Sequence, residues 1–200
     1  MHSKSIKNLI NIFSKLPSIG PRQASRIVFA LIKWPGDEVE KFMQSLAELK
    51  KNVTFCASCF ASFERSDSNV CKICSGPQRL KNTICVLEKD IEMSQIENAG
   101  FFNGVYHIVG NIDILNKKVV PTTVQKLIER IETLKHNHKE IEIVLATNPS
   151  AEGDATAIYL KQKIDPLGVK ITFLGRGLST GGELEYLDRE TITNAFQNRK

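Results

Sequence analysis

The stretch IEIVLATNPSAEGDATA, residues 141–157, joins an apolar β-branched run to a polar turn with two carboxylates and then to the start of a helix. Ile141–Ala146 predicts a strand, and Asp154–Ile164 predicts the helix after it. The same strand–loop–helix unit recurs on both sides. Thr83–Leu87 leads to a helix at Asp90–Ala99 that Gly100 stops, and Val105–Val109 leads to a helix at Thr122–Lys135. Lys170–Leu174 supplies a fourth strand. Alternation of this kind predicts an α/β domain with a mostly parallel sheet and helices on both faces. Glu88 follows the first strand, and Glu152 and Asp154 follow the third, so all three belong to the carboxyl edge, where ligands of such sheets bind. Three carboxylates there suit a hard cation such as Mg²⁺, the ion that metal-assisted phosphoryl transfer uses. The plainer alternatives are a solvated Glu88 and an Asp154 that caps its helix.

Upstream of the sheet lie two pairs, Cys56-x2-Cys59 and Cys71-x2-Cys74, with 11 mostly polar residues between them. Each pair offers two thiolates to one ion, and two pairs complete a closed tetrahedral site. Four sulfurs leave no position for water, so a zinc ion there is structural; an iron–sulfur cluster is the minor alternative. Cys85 lies within a strand and reads as a buried core thiol.

The first 55 residues are helical in pattern. Ile6, Leu9, Ile10, Phe13 and Leu16 share one face, and Pro17-Ser-Ile-Gly-Pro21 makes a tight turn into a second helix to Lys33. Asp37 is placed to cap a third helix to Asn52, with Val39, Phe42, Met43, Leu46 and Leu49 as its buried face. The turn has the form of a helix-hairpin-helix, whose Gly-containing bend presents backbone N–H groups at a helix N-terminus to a phosphate. Arg22 and Arg26 are four residues apart, on one face of the second helix, and can hold neighbouring phosphates without reading sequence. The alternative is a plain helical hairpin with two solvated arginines.

Charge favours the first reading. The chain of 200 residues is +5 overall, and residues 1–55 alone hold 9 Lys/Arg against 4 Asp/Glu, while residues 83–200 are net negative by two. A basic excess confined to one end points that end at a polyanion. Hydrophobic content of 42% with 24% charged residues is that of a globular chain rather than a disordered or coiled-coil one. No apolar run approaches the roughly 18 residues of a membrane span. Lys7 and Lys15 flank the only candidate signal segment, and the cysteine pattern fits a reducing compartment, so a cytoplasmic location is expected. Gly177-Leu-Ser-Thr-Gly181 matches a nucleophile elbow but has no histidine after it, and no Walker A sequence occurs. Tyr106, Tyr159 and Tyr186 are the tyrosines available as nucleophiles, and none has an activating setting.

In their order, Leu16–Ile27, Cys56–Cys74, Ile143–Ala157 and Gly175–Tyr186 make the chain resemble the RecR family of bacterial recombination mediators over nearly its whole length. The resemblance implies four parts: a helix-hairpin-helix region (1–55), a four-cysteine zinc finger (56–74), a Toprim domain (82–176) and a Walker-B-like tail with a helix (177–200). Glu88, Glu152 and Asp154 fall on the Toprim acidic positions, and Arg22 and Arg26 on those that face DNA. The family implies a non-enzymatic ring, typically a tetramer, that clamps DNA and acts with RecO and RecF to place RecA on SSB-coated single strands. The Toprim acids would then contact RecO, the tail would join subunits, one zinc would be structural and Mg²⁺ stays open. The alternative is a Mg²⁺-dependent Toprim nuclease or another strand-cleaving enzyme. Three departures from the family pattern stand out: Ser18 in place of the hairpin's first glycine, Ser179 in place of proline, and an altered Asn111–Val120 loop.

Overall fold

The computed structural model describes residues 3–112, 120–178, 181, 183–197 and 199. Ser179 and most of the Asn111–Val120 loop lie outside the described residues. The chain divides into two compact units, Met1–Val53 and Thr54–Lys200.

The first unit holds α1 (Lys4–Phe13), α2 (Pro21–Leu31) and α3 (Gly36–Asn52). Ser3 caps α1, its hydroxyl accepting from the Ile6 N–H at 3.4 Å. Pro21 occupies the first turn of α2, where a missing N–H costs nothing, and Gln23 Oε1 accepts from the Gly20 N–H at 3.2 Å. The bend between α1 and α2 places Ser18 at φ 62°, in the left-handed region that a glycine would enter without strain. Asp37 does not cap α3. The helix begins one residue earlier, after Pro35, and Asp37 sits in its first turn beside Glu38. These acids and Lys50 and Lys51 in the last turn match the helix dipole. The expected buried face of α3 is also corrected: Phe42, Met43, Leu46 and Leu49 are 42–63% exposed. Ala24 and Val28 of α2 are the buried residues among those described in this unit.

In the second unit, β1 (Val53–Phe55) pairs with β2 (Ser62–Glu64), and α4 (Lys72–Ser75) completes the cysteine-rich module. The sheet follows: β3 (Leu80–Leu87), α5 (Asp90–Ala99), β4 (Gly104–Ile108), α6 (Thr122–Lys135), β5 (Glu142–Leu145), α7 (Ala151–Ile164) and β6 (Lys170–Phe173), with α8 (Arg189–Gln197) after it. All pairings are parallel, in the order β4-β3-β5-β6, and Cys85 lies between Tyr106 and Val144 in register. Alternate residues of β3 serve opposite faces, as the pleat requires. Ile84 and Val86 join Leu127 and Ile131 of α6 and Leu160 and Ile164 of α7 in one cluster. Cys85 and Leu87 join Tyr106, Ile108 and α5's Met93 and Ile96 in the other, together with Cys56, Cys59, Cys71, Phe60 and Ile73. The cysteine-rich module is therefore a cover for one sheet face rather than an appendage. Asp90 reinforces this docking, because its Oδ1 accepts from the Ser62 hydroxyl at 3.0 Å.

The start of α7 differs from the expectation. It begins at Ala151, capped by the Ser150 hydroxyl, which accepts from the Gly153 N–H at 3.1 Å, so Asp154 is inside the first turn. Gly153 is required there: a Cβ would lie 2.0 Å from the Asn148 carbonyl oxygen. Gly153→Ala is expected to cost roughly 3 kcal/mol, since backbone rather than a side chain must give way. Denaturant unfolding of the variant checks this, and a loss below about 0.5 kcal/mol contradicts it.

Candidate metal centre and nucleic-acid interface

The Sγ atoms of Cys56, Cys59, Cys71 and Cys74 all lie within 4.8 Å of one another. Cys59 Sγ and Cys71 Sγ are 3.7 Å apart. A tetrahedron with about 2.3 Å from centre to sulfur has edges of about 3.8 Å, so the spacing fits one zinc-sized ion. Each pair sits in a tight turn. The Phe60 N–H donates to Cys56 O and the Ser75 N–H to Cys71 O, at 2.9 and 3.0 Å. The Cys71 N–H also donates to Cys56 Sγ at 3.3 Å, tying the second turn to the first. Phe60 adopts φ 62°, and its ring packs edge-on against the buried His107 at 5.3 Å. Burial and the hydrogen bonds among Cys59, Cys71 and Cys74 oppose ionising these sulfurs together. A divalent ion at the centre is what would let all four ionise. Cys85 stands apart as a buried strand thiol, pushed up to about 12 by burial and so unreactive.

The three sheet acids do not converge. Glu88 and Glu152 line one cavity of about 780 Å³ with Lys89, Asn148 and Ser150. It opens beyond the carboxyl ends of β3 and β5, the point at which strand order reverses. Asp154 is turned to Arg176, whose guanidinium meets both carboxylate oxygens, one of them at 3.2 Å. That pairing holds the Asp154 carboxyl below its ordinary range. Among the described residues, no three carboxylates come close enough to share an ion. Asn148 and Glu92 were not singled out in the sequence. The Asn148 amide donates to Glu88 Oε2 at 3.2 Å and to Glu92 Oε1 at 2.8 Å, while Glu92 Oε2 accepts from the Glu88 and Lys89 N–H groups at 3.0 Å. Glu at the third position of a helix, reaching back to the residues before it, was the available signal for Glu92. Tyr106 is fully buried, donates to Glu97 at 2.6 Å and is pushed well up by that burial, so it is no nucleophile.

Arg22 and Arg26 are both exposed on α2 and, with Gly20, Pro21 and Gln23, border a shallow concavity of about 590 Å³. The N–H groups of Arg22 and Gln23 belong to the first turn of α2, where the residue four back lies outside the helix and offers no intrahelical acceptor. No acid lies in that turn. The arrangement therefore offers a phosphate two backbone donors, the positive end of a helix and two guanidinium groups.

A helix-hairpin-helix unit, a four-cysteine ribbon and a parallel sheet with acids at its switch point define the class: a mixed α/β protein built on a Toprim domain. Three family models match in chain order: RecR helix-hairpin-helix at residues 6–50, Toprim domain at 82–175 and RecR C-terminal at 177–200. Recombination protein RecR of Cutibacterium acnes is 35% identical over 201 residues, covering 100% of this chain and 96% of that protein. The chain belongs to the RecR family. Among the described residues, no helix is long and apolar enough to cross a membrane.

Proposed function

We propose that the chain is a non-catalytic DNA clamp of recombinational repair. In this reading it acts in the cytoplasm with RecO and RecF to help load RecA onto SSB-coated single-stranded or gapped DNA. The observation that carries it is the pair Arg22 and Arg26, exposed on one face beside an acid-free helix N-terminus. Such a site binds backbone phosphate irrespective of base and weakens steeply with salt.

The working parts are the helix-hairpin-helix region (1–55), a zinc finger (56–74) with one structural Zn²⁺ on Cys56, Cys59, Cys71 and Cys74, the Toprim domain (82–176) and the tail (177–200). Glu88 and Glu152 form an acidic surface for RecO. Asp154 is spent on Arg176, which argues against a Mg²⁺ nuclease centre. Self-association into a ring of four copies, in the family's manner, is supported by the exposed apolar side chains Phe42, Met43, Leu46 and Leu49 along one face of α3. Ring closure would lengthen residence on DNA through several simultaneous contacts.

RecA assembly on SSB-coated gapped DNA, followed by ATP hydrolysis, tests the reading. With RecO and this protein added, RecA assembly should accelerate at least tenfold over RecO alone. Equal rates contradict the mediator role.

A further inference from the structure

The proposed zinc occupancy of the four-cysteine centre raises a question of charge. Four thiolates and one divalent ion leave a net charge of minus two, and Cys56, Cys59 and Cys71 are buried. A charge of that size in a part-buried site calls for compensation. Two cations from the sheet reach the two cysteine turns. Arg130 of α6 extends to the first turn, where its Nη1 donates to Ser58 O at 3.2 Å and to Tyr106 O at 2.8 Å. Lys81 of β3 extends to the second, where its Nζ donates to Cys74 O and to Gly76 O, both at 2.7 Å.

Both side chains are half-buried, and among the described residues neither has a carboxylate partner. Arg79 makes the contrast. It is half-buried in the same unit and bonds carbonyls too, at Phe102 and Gly104, but its charge is met by Glu97. Two withdrawn cations without acids, each bound to a turn that presents two of the four sulfurs, point to the cluster itself as their counter-charge.

We propose that Lys81 and Arg130 are positioning residues of the metal centre, each fixing one cysteine turn through its carbonyls and together offsetting the charge of the loaded site. Partners of this kind around a metal site commonly change its affinity by 10- to 100-fold when removed. They would also tie metal loading to the sheet, because Lys81 lies in the first residues of β3 and Arg130 bridges Ser58 to β4.

Zinc content and chelator competition on the full-length protein test this. Wild type should hold one equivalent of zinc, and wild type isolated without zinc contradicts the occupancy itself. Lys81→Met and Arg130→Gln should each weaken zinc 10- to 100-fold. Arg130→Lys, which keeps the charge and a donor, should stay within about threefold of wild type. Arg79→Met serves as the control for general destabilisation: it should lower thermal stability with zinc affinity unchanged. Should Lys81→Met fail to fold, the Arg130→Gln and Arg130→Lys pair still decides the matter. Zinc affinity in Arg130→Gln equal to wild type, or reduced no further than in Arg79→Met, overturns the proposal while leaving the zinc site standing.

Discussion

Reversing the charge at both hairpin arginines, Arg22→Glu with Arg26→Glu, is expected to abolish binding to gapped DNA at low salt. Each lost phosphate contact removes about 0.9 from the slope of log affinity against log salt on duplex and about 0.7 on single strands. Two lost contacts therefore lower the slope by roughly 1.4–1.8, and the added repulsion takes the affinity down by at least about 100-fold. Both side chains are exposed and far along the chain from the cysteines, so zinc content and oligomer size should match wild type. Fluorescence anisotropy across a salt series, with size-exclusion chromatography beside it, reads all of these. Near-normal affinity in the double variant would remove the hairpin from the interface.

Metal removal is the second large effect. Because the cysteine-rich module covers one face of the sheet through Phe60, Ile73 and the cysteines themselves, its loss exposes Tyr106 and Ile108. A structural zinc ion binds with an apparent 10–16 kcal/mol at neutral pH in small peptides, and what binds only the folded state stabilises it. Strong chelation, or Cys71→Ser, should lower the melting temperature by more than about 10 °C and expose apolar surface. Circular dichroism with a zinc-sensitive dye gives the melting temperature and the metal released. Unchanged melting after complete zinc release contradicts the structural role.

The sheet was legible because its strands are apolar runs, rich in β-branched residues and punctuated by helical periods. Ile141–Ala146 and Lys170–Leu174 could hardly be read otherwise. The three-residue shifts at the start of β3, from Thr83 to Leu80, and at the start of α7, from Asp154 to Ala151, arise at the element edges, where pattern is silent. At α7 the sequence offered Asp154 as the cap, whereas Ser150 caps the helix because Gly153 lets the turn close against Asn148. The apolar stripe on α3 was read correctly as a stripe and wrongly as buried. Periodicity identifies a face and does not say whether the same chain supplies its cover.

Long-range partners were the part the sequence concealed. The sequence placed Glu152 and Asp154 together in the loop at the carboxyl edge of the sheet, yet both lie in the first turn of α7, where residues two apart point about 200° apart. Glu152 faces the cavity beside Glu88, whereas Asp154 meets Arg176, 22 residues away. The four-cysteine centre was fully legible because its geometry is local to two short turns. Its docking on the sheet was not, since Arg130 lies 72 residues beyond Ser58.

The most direct test of a clamp against a strand-cleaving enzyme uses end-labelled gapped DNA, incubated with the zinc-loaded protein and Mg²⁺ at low salt. Each reaction is divided between a native and a denaturing gel. A retarded complex with every strand intact is the expected result. Shortened or joined strands that disappear in Glu88→Ala would contradict a non-catalytic clamp.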